Sequence, residues 1–563
     1  MTEQRLVTIP ELKGGTKAWD VVFVLAVGLF INCFGINKGL LAGTEGHRAL
    51  TAHQMVMTGN WILPRLYDRL YLAKPPLFYW VLAIFEKLSG HANVLIWRLP
   101  SALAGTAMAG FFCVITGRWY GRLGGLVAGI ASCAMFSLWG QNHTAEIDAL
   151  NSLACAVTAC ELIDLGITNG PWARRALIAG IAFAAALLLK GPAAVTVVAS
   201  ALLGPAIFNR TLRPFTRPAI WIALAIGATV LSLYGVLALQ EFHRLETRID
   251  TSGVQEAWSK LFTDRLAHLP LTVLLPITLL VYMIPVSFFL PMAFDPAVWR
   301  RNNESQLWPA PDRQRLRALI GTMAVACFVT MCYGLIFPRY SYVWMPLACP
   351  VAGAVAAAWE RGLYSRQVVG WLCVALAASG IAFTVGLVAM GILYHHRDGE
   401  FPSVFWAASA IAAVFSYLII HWLGRDRIAW VGWGIVGLIL VSGPPFGILE
   451  INDRDRRSAA SGSAILDEYF RPGQTITTGH IVLECPEVFY YAGLNVESYP
   501  DSLLWPREFT TSRWILFDNA EYDYWMKTAP GRLTRVRPIE QRGIGAVLAW
   551  YTTKHDARST TQR

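Results

Sequence analysis

Residues 174–208 read RRALIAGIAFAAALLLKGPAAVTVVASALLGPAIF. After the arginine pair this stretch carries one charge, Lys190, and the triplet Lys190-Gly191-Pro192 cuts it into two apolar halves. A helix rising 1.5 Å per residue needs about 20 apolar residues to cross a hydrocarbon core of roughly 30 Å, and each half is close to that length. Glycine ends one helix and proline opens the next, so the stretch reads as two membrane-spanning helices joined by a tight turn. The rest of the chain repeats the pattern. Comparable runs occupy about 18–36, 97–116, 123–141, 146–166, 218–238, 269–294, 316–336, 340–358, 367–393, 403–423 and 428–447, which with 174–190 and 191–208 makes thirteen expected spans. Pro75–Ser89 is shorter and holds Glu86 and Lys87, as expected of a helix lying on the membrane surface.

Composition agrees. Of 563 residues 55% are hydrophobic and 15% charged, which excludes a string of soluble domains, and 22 Trp with 19 Tyr suit a chain with many bilayer interfaces. The net charge of +10 does not indicate nucleic-acid binding, because the cations sit in short loops between apolar runs. Nine of the ten cysteines fall in apolar runs, Cys485 being the exception, so neither a disulfide framework nor a CxxC metal site follows.

Charge also sets the sidedness. With the N-terminus inside and Pro75–Ser89 not crossing, one set of loops holds Arg118 and Arg122, Arg174 and Arg175, Arg210, Arg213 and Arg217, Arg300 to Arg317, Arg361 and Arg366, and Arg425 and Arg427. The short loops opposite are almost free of positive charge, as the positive-inside rule requires. Three polar regions then share the outer face: a loop from 38 to 96, a loop from 239 to 268, and the tail from 451. The expected organisation is an α-helical polytopic membrane domain, 1–447 including the outer loop 38–96, and a small soluble α/β domain, 448–563. In the tail, helices are expected near Ala459–Tyr469 and Pro486–Gly493, and strands near Gln474–Thr478, Arg513–Phe517 and Gly545–Tyr551.

The outer loop carries the most chemistry: Gly43-Thr44-Glu45-Gly46-His47-Arg48, then Gly59-Asn60-Trp61-Ile62-Leu63-Pro64, then Ala73-Lys74-Pro75-Pro76. An acid, several cations and turn formers suit an anionic lipid headgroup, and they equally suit a loop whose cations merely meet membrane phosphates. After the third run, Glu146-Ile147-Asp148 puts acids at the mouth of a span. They are either first-turn acids facing the helix dipole or a functional site, since an ionisable group there is costly. Lys190 is either functional or a snorkelling lysine closing the hairpin.

The order of these elements resembles the GT-C class of membrane glycosyltransferases, in particular the aminoarabinose transferase of lipid A and its bacterial relatives. In that family an acid pair, a Gly-x-Trp-x-x-Pro turn and a Glu-Lys-Pro motif occupy the first outer loop. Here they align with Thr44-Glu45, Gly59–Pro64 and Ala73-Lys74-Pro75, so Thr44 and Ala73 stand where the family carries acids. Asp148 aligns with the Asp that opens the fourth helix, Leu189-Lys190-Gly191-Pro192 with a Lys-Gly-Pro turn, and Arg339-Tyr340 followed by Pro346 and Pro350 with an Arg/Thr-Tyr-x-x-Pro-x-x-Pro helix. Arg265 falls near a phosphate-contacting arginine, with Arg248 as the alternative.

The resemblance implies a glycosyltransferase that moves a sugar from a polyprenyl (undecaprenyl) phosphate to lipid A or another envelope glycolipid or glycan, at the periplasmic face of the bacterial inner membrane. Asp148 and Glu45 are the implied catalytic carboxylates. Lys74, Arg265, Arg339, Tyr340 and Lys190 are the implied donor-phosphate ligands. Membrane lipids are expected partners and nucleic acid is not; no cofactor is obligatory, and a divalent metal is compatible but not predicted. A protein O-mannosyltransferase shares the fold and differs in acceptor. A lipid or solute transporter is the reading from a different class, disfavoured because the polar residues cluster at one face instead of the midplane.

Overall fold

The structure is a computed structural model that describes residues 15–67, 69–244, 273–299, 308–333, 338–364, 366–398, 403–423, 437–438, 441, 463–478, 486–498, 509, 511–528, 532–541 and 544–553. The described chain divides into two compact units, one of residues 1–36, 101–236 and 256–448, the other of 37–100, 237–255 and 449–563.

The first unit is helical. Its helices follow the apolar runs: α1 (Ala18–Cys33), α4 (Val94–Tyr120, entered from the other unit), α5 (Arg122–Ala134), α6 (Phe136–Asn142), α7 (Ile147–Ile167), α8 (Ala173–Lys190), α9 (Pro192–Phe208), α10 (Arg213–Thr216), α11 (Pro218–Arg244), α12 (Leu275–Tyr282), α13 (Pro296–Trp299), α14 (Ala310–Cys332), α15 (Ala348–Glu360), α16 (Arg366–Asp398) and α17 (Ser403–Leu423). By length and apolarity five of the described helices can cross a membrane, or seven if each bent pair is one span. The run 428–447 lies almost entirely outside the described residues.

Two runs read as single helices are bent. The 123–141 run breaks between α5 and α6 at 63°, and the 269–294 run breaks after α12 at 111°, continuing as two short 3-10 turns. Hydropathy cannot report this, because a bent helix and a straight one present the same apolar side chains. The backbone explains it: Met135 is extended, and the Phe136 N–H donates instead to the Ile284 carbonyl at 3.1 Å. Each break thus satisfies a polar group freed by the other, the condition for irregular backbone at membrane depth.

Close packing follows the small residues. A Cβ on Gly204 of α9 would lie 2.3 Å from the Thr322 nitrogen, so only glycine lets the α9 and α14 backbones touch.

The arginine-bearing loops meet at one end of this unit. Asp164, at the end of α7 and fully buried, takes Arg175 at 2.7 Å and Arg315 at 3.0 Å. Arg315 also reaches Asp312 at 3.2 Å, and Arg361 reaches Asp312 at 3.4 Å while stacking over Trp308. Arg122 pairs with Asp20 at 2.7 Å. Three loops that charge bias assigned to one side are therefore joined through two aspartates. Deleting one partner of a buried pair costs about 3–5 kcal/mol, because it strands the other charges. Asp164→Ala should accordingly lower the melting temperature of the purified protein below that of Asp164→Asn, which keeps one acceptor oxygen for one of the two arginines. Equal melting of the two variants would mean that shape, not pairing, holds these loops.

The second unit contains a five-stranded sheet of order β4-β3-β5-β7-β6, built from β3 (Thr475–Thr478), β4 (Asn495–Ser498), β5 (Arg513–Asp518), β6 (Leu533–Gln541) and β7 (Ile544–Tyr551). β3 runs parallel to β4 and β5, and β7 antiparallel to β5 and β6. Alternation along β5 fills both faces: Leu516 joins Leu466, Ile476, Phe489 and Leu548 on one, and Ile515 and Phe517 join Phe509, Trp525 and Tyr551 on the other. Helices α18 (Ser463–Leu466), α19 (Pro486–Tyr491) and α20 (Asn519–Thr528) flank the sheet. β3, β5, β7 and α19 fall where the tail sequence led one to expect them and α18 falls inside the expected 459–469 helix, whereas β4, β6 and α20 were not expected.

Residues 37–100 cluster with this sheet. They form α2 (Glu45–Thr58), the two-stranded hairpin of β1 (Arg65–Leu66) and β2 (Arg69–Leu70), and α3 (Leu77–Ser89). On α3 the apolar face of Phe78, Tyr79, Leu82 and Ala83 is buried, with Ile84 and Leu88 exposed. Glu86 lies on the inner face, 2.6 Å from His53 Nδ1, and accepts from Trp97 Nε1 at 2.9 Å. This carboxylate, which in sequence marks a polar surface, instead ties α3 to α2 and α4.

Candidate active site

Gly191 adopts φ +53°, a conformation that disfavours any side chain, and Pro192 begins α9 with no N–H to satisfy. The Lys-Gly-Pro turn therefore leaves Lys190 as the final residue of α8. Asp148 stands in the first turn of α7 and is 9% exposed. The two meet: Lys190 Nζ donates to Asp148 Oδ1 at 2.5 Å. Lys190 Nζ also lies 5.8 Å from the centre of the Tyr340 ring, and the Arg339 guanidinium lies 5.5 Å from that same ring. The segment carrying Tyr340 is fixed by the Ser152 hydroxyl of α7, which donates to the Tyr342 carbonyl at 2.9 Å. Four of the seven expected site residues, Asp148, Lys190, Arg339 and Tyr340, thus form one cluster although 42 positions separate the first pair.

The loop leading to Asp148 rests on a buried amide network. Asn142 Nδ2 donates to Asn32 Oδ1 at 3.1 Å, Asn32 Nδ2 to the Thr106 hydroxyl at 3.3 Å, and that hydroxyl to the Ala102 carbonyl at 2.9 Å. Sequence reading missed it, since Asn32 looks like a lone polar residue in the 18–36 run and Asn142 like a loop-edge one until the chain is folded.

Glu45 belongs to the second unit. It is the first residue of α2, 1% exposed, and both oxygens are engaged: Arg98 Nε donates to Oε1 at 2.8 Å, Arg98 Nη2 to Oε2 at 2.9 Å, and the Ala42 N–H to Oε2 at 3.1 Å. Arg98, fully buried, also donates from Nη1 to the Lys38 carbonyl at 2.7 Å and from Nη2 to the Leu40 carbonyl at 2.8 Å. Such a fork-to-carboxylate pair is strong and geometrically specific, and it holds the loop in shape. Arg98 is the main residue that sequence reading overlooked. On α2, Arg48 donates to the hydroxyls of Tyr79 at 3.1 Å and Tyr71 at 3.3 Å. Lys74 is half-buried in the turn before α3, and Lys87 is exposed. Arg265 and its alternative Arg248 lie outside the described residues. Among the described residues no group of three His, Cys, Asp or Glu side chains is placed to hold a metal ion.

Residues 73–234 match the family described as dolichyl-phosphate-mannose-protein mannosyltransferase. The undecaprenyl phosphate-alpha-4-amino-4-deoxy-L-arabinose arabinosyl transferase 2 of Proteus mirabilis is 27% identical over 214 residues, 37% of this chain and 37% of that protein. The corresponding transferase of Shewanella sediminis is 27% identical over 221 residues, 39% of this chain and 40% of that protein. The alignment spans less than half the length of either relative. Over nearly the whole chain, the crystal structure of ArnT from Cupriavidus metallidurans bound to undecaprenyl phosphate superposes with a TM-score of 0.66 at 16% identity, covering 94% of this chain and 97% of that one. The chain carries the ArnT fold. The apo form of the same ArnT gives 0.62. Both matched arabinosyl transferases and the ArnT structure agree with the GT-C resemblance drawn from the motifs.

Proposed function

We propose that this protein is a GT-C glycosyltransferase that moves a sugar from a polyprenyl-phosphate donor to a lipid A-like or other envelope acceptor. In this reading it crosses the bacterial inner membrane thirteen times, with the 1–447 region in the membrane and the site and the 448–563 domain facing the periplasm. The observation that carries it is the Asp148–Lys190 pair beside Tyr340 and Arg339, set in a fold shared with a protein crystallised on undecaprenyl phosphate.

The chemistry follows from charge. An acceptor oxygen attacks the anomeric carbon, the bond from that carbon to the phosphate oxygen breaks, and polyprenyl phosphate leaves with the electron pair. Cations must meet the leaving oxygens. Arg339 and Lys190 serve that role, and the Tyr340 hydroxyl donates a further hydrogen bond. Lys190 engages Oδ1 of Asp148 and leaves Oδ2 to receive the proton of an attacking hydroxyl. Glu45, locked to Arg98, shapes the outer loop.

A second reading, transfer to a protein hydroxyl, is favoured by the mannosyltransferase family match over 73–234. Both readings need a lipid-linked donor, since a site facing away from the cytoplasm does not meet nucleotide sugars. Purified protein given a polyprenyl-phosphate sugar and an envelope glycolipid should release polyprenyl phosphate, and a nucleotide sugar alone should yield nothing. Sustained transfer from the nucleotide sugar without lipid carrier would falsify the donor assignment. Transfer only to an unfolded polypeptide would select the second acceptor.

A further inference from the structure

Helix α19 carries Pro486-Glu487-Val488-Phe489-Tyr490-Tyr491. Val488 and Phe489 serve the core beside the sheet. The polar groups of the same helix go elsewhere, to the loop of residues 37–100 in the same unit. The Tyr491 hydroxyl accepts from the Leu41 N–H at 3.2 Å, the Tyr490 hydroxyl donates to the Ala92 carbonyl at 3.2 Å, and the Pro486 carbonyl accepts from the Tyr67 hydroxyl at 2.7 Å. Leu41, Tyr67 and Ala92 are the beginning, middle and end of that loop. Between them Glu487, 2% exposed, presses on α2: a Cβ on Gly46 would stand 2.5 Å from its Oε2 and 3.3 Å from its Cβ.

The contacts converge on the Glu45 constellation. Leu41, held by Tyr491, sits between Leu40, whose carbonyl takes Arg98 Nη2, and Ala42, whose N–H binds Glu45 Oε2. Gly46, under Glu487, directly follows Glu45. One six-residue helix therefore grips both sides of the Arg98–Glu45 pair. A helix needed only to plug the sheet would require its apolar side chains alone. Burial pushes the Tyr490 and Tyr491 phenols up, so both stay protonated at neutral pH and keep these roles.

We propose that α19 is a positioning element of the transferase: Tyr490, Tyr491 and Glu487 fix the outer loop so that its α2 and the Lys74 turn are already ordered when donor and acceptor arrive. This rests on the transferase reading. Fixing a loop of this length at both ends and the middle removes disorder that substrate would otherwise have to remove, and small misplacements of a site cost rate more than affinity.

The test uses the full chain in proteoliposomes with Tyr490→Phe, Tyr491→Phe and the double variant, and Tyr524→Phe at an exposed tyrosine of α20 as control. Two readouts are taken: amide hydrogen exchange of residues 41–58, and transfer kinetics with a polyprenyl-phosphate sugar. The double variant should exchange faster across 41–58 and lose about tenfold or more in kcat, with donor KM within about twofold of the parent. The control should match the parent in both. Unchanged exchange in the double variant, or faster exchange with kcat within about twofold of the parent, overturns the positioning role. The exchange readout needs no turnover, so a parent that transfers nothing sinks the transferase reading while α19 is still judged as a clamp.

Discussion

Asp148→Asn should transfer sugar about 10²–10⁴ times more slowly than the parent while inserting and folding as before, because that is the usual contribution of a positioned base. The substitution suits the site. Asparagine keeps the size of the side chain and an oxygen for Lys190, whose Nζ is 2.5 Å from Oδ1, yet it can neither take a proton nor balance the lysine charge. The size of the loss also reports the acceptor. A hydroxyl must lose its proton as it attacks, so the full effect is expected with sugar or serine acceptors. A phosphate acceptor is already ionised and needs no base, and the loss should then be closer to tenfold, about what misorientation alone produces. Parental activity in the variant would leave Asp148 as a first-turn acid at the positive end of α7 and remove it from the chemistry. The measurement is single-turnover release of polyprenyl phosphate, so that binding and product release do not mask the step.

Much of this arrangement was legible in the sequence, for identifiable reasons. Most of the apolar runs among the described residues became helices, because a buried backbone has few other ways to satisfy itself. The Lys-Gly-Pro turn could be placed because glycine and proline constrain the backbone locally: Gly191 does take a positive φ and Pro192 does open α9. Strands such as Arg513–Asp518 were visible through alternation that fills two cores. Less was legible where the determinant lies far along the chain. Arg98 looks like any arginine near a helix start until Glu45, 53 positions earlier, closes on it. The bends at Met135 and beyond Tyr282 meet through a backbone hydrogen bond that no local pattern encodes, although Pro285 and Pro291 are a local sign of the second break. Glu86 misleads for the opposite reason: its charge suggests water, whereas His53 and Trp97 supply a polar niche inside.

Arg98→Ala should be among the most damaging single changes outside the helical unit, and the reason separates structure from catalysis at Glu45. The substitution removes a fully buried guanidinium and strips the Glu45 carboxylate, 1% exposed, of both of its arginine donors. The Lys38 and Leu40 carbonyls lose their donors at the same stroke. Breaking a buried ion pair from one side costs about 3–5 kcal/mol, a large share of the roughly 5–15 kcal/mol that ordinarily holds a folded domain. A sharp fall in melting temperature, or failure to accumulate in the membrane, is the expected result. Arg98→Lys should recover only part of the loss, since a single ammonium cannot reproduce the fork that meets both carboxylate oxygens and two carbonyls. The double change Arg98→Met with Glu45→Gln removes both charges and should melt closer to the parent than Arg98→Ala does. Its turnover then isolates what the Glu45 carboxylate does for the reaction: activity near the parent makes the pair a loop fastener, whereas a stable but slow double variant assigns the outer loop a part in transfer. If Arg98→Ala itself melts with the parent, the pair contributes nothing to stability and the geometry around α2 is held by its other contacts, those of α19, Glu86 and Arg48.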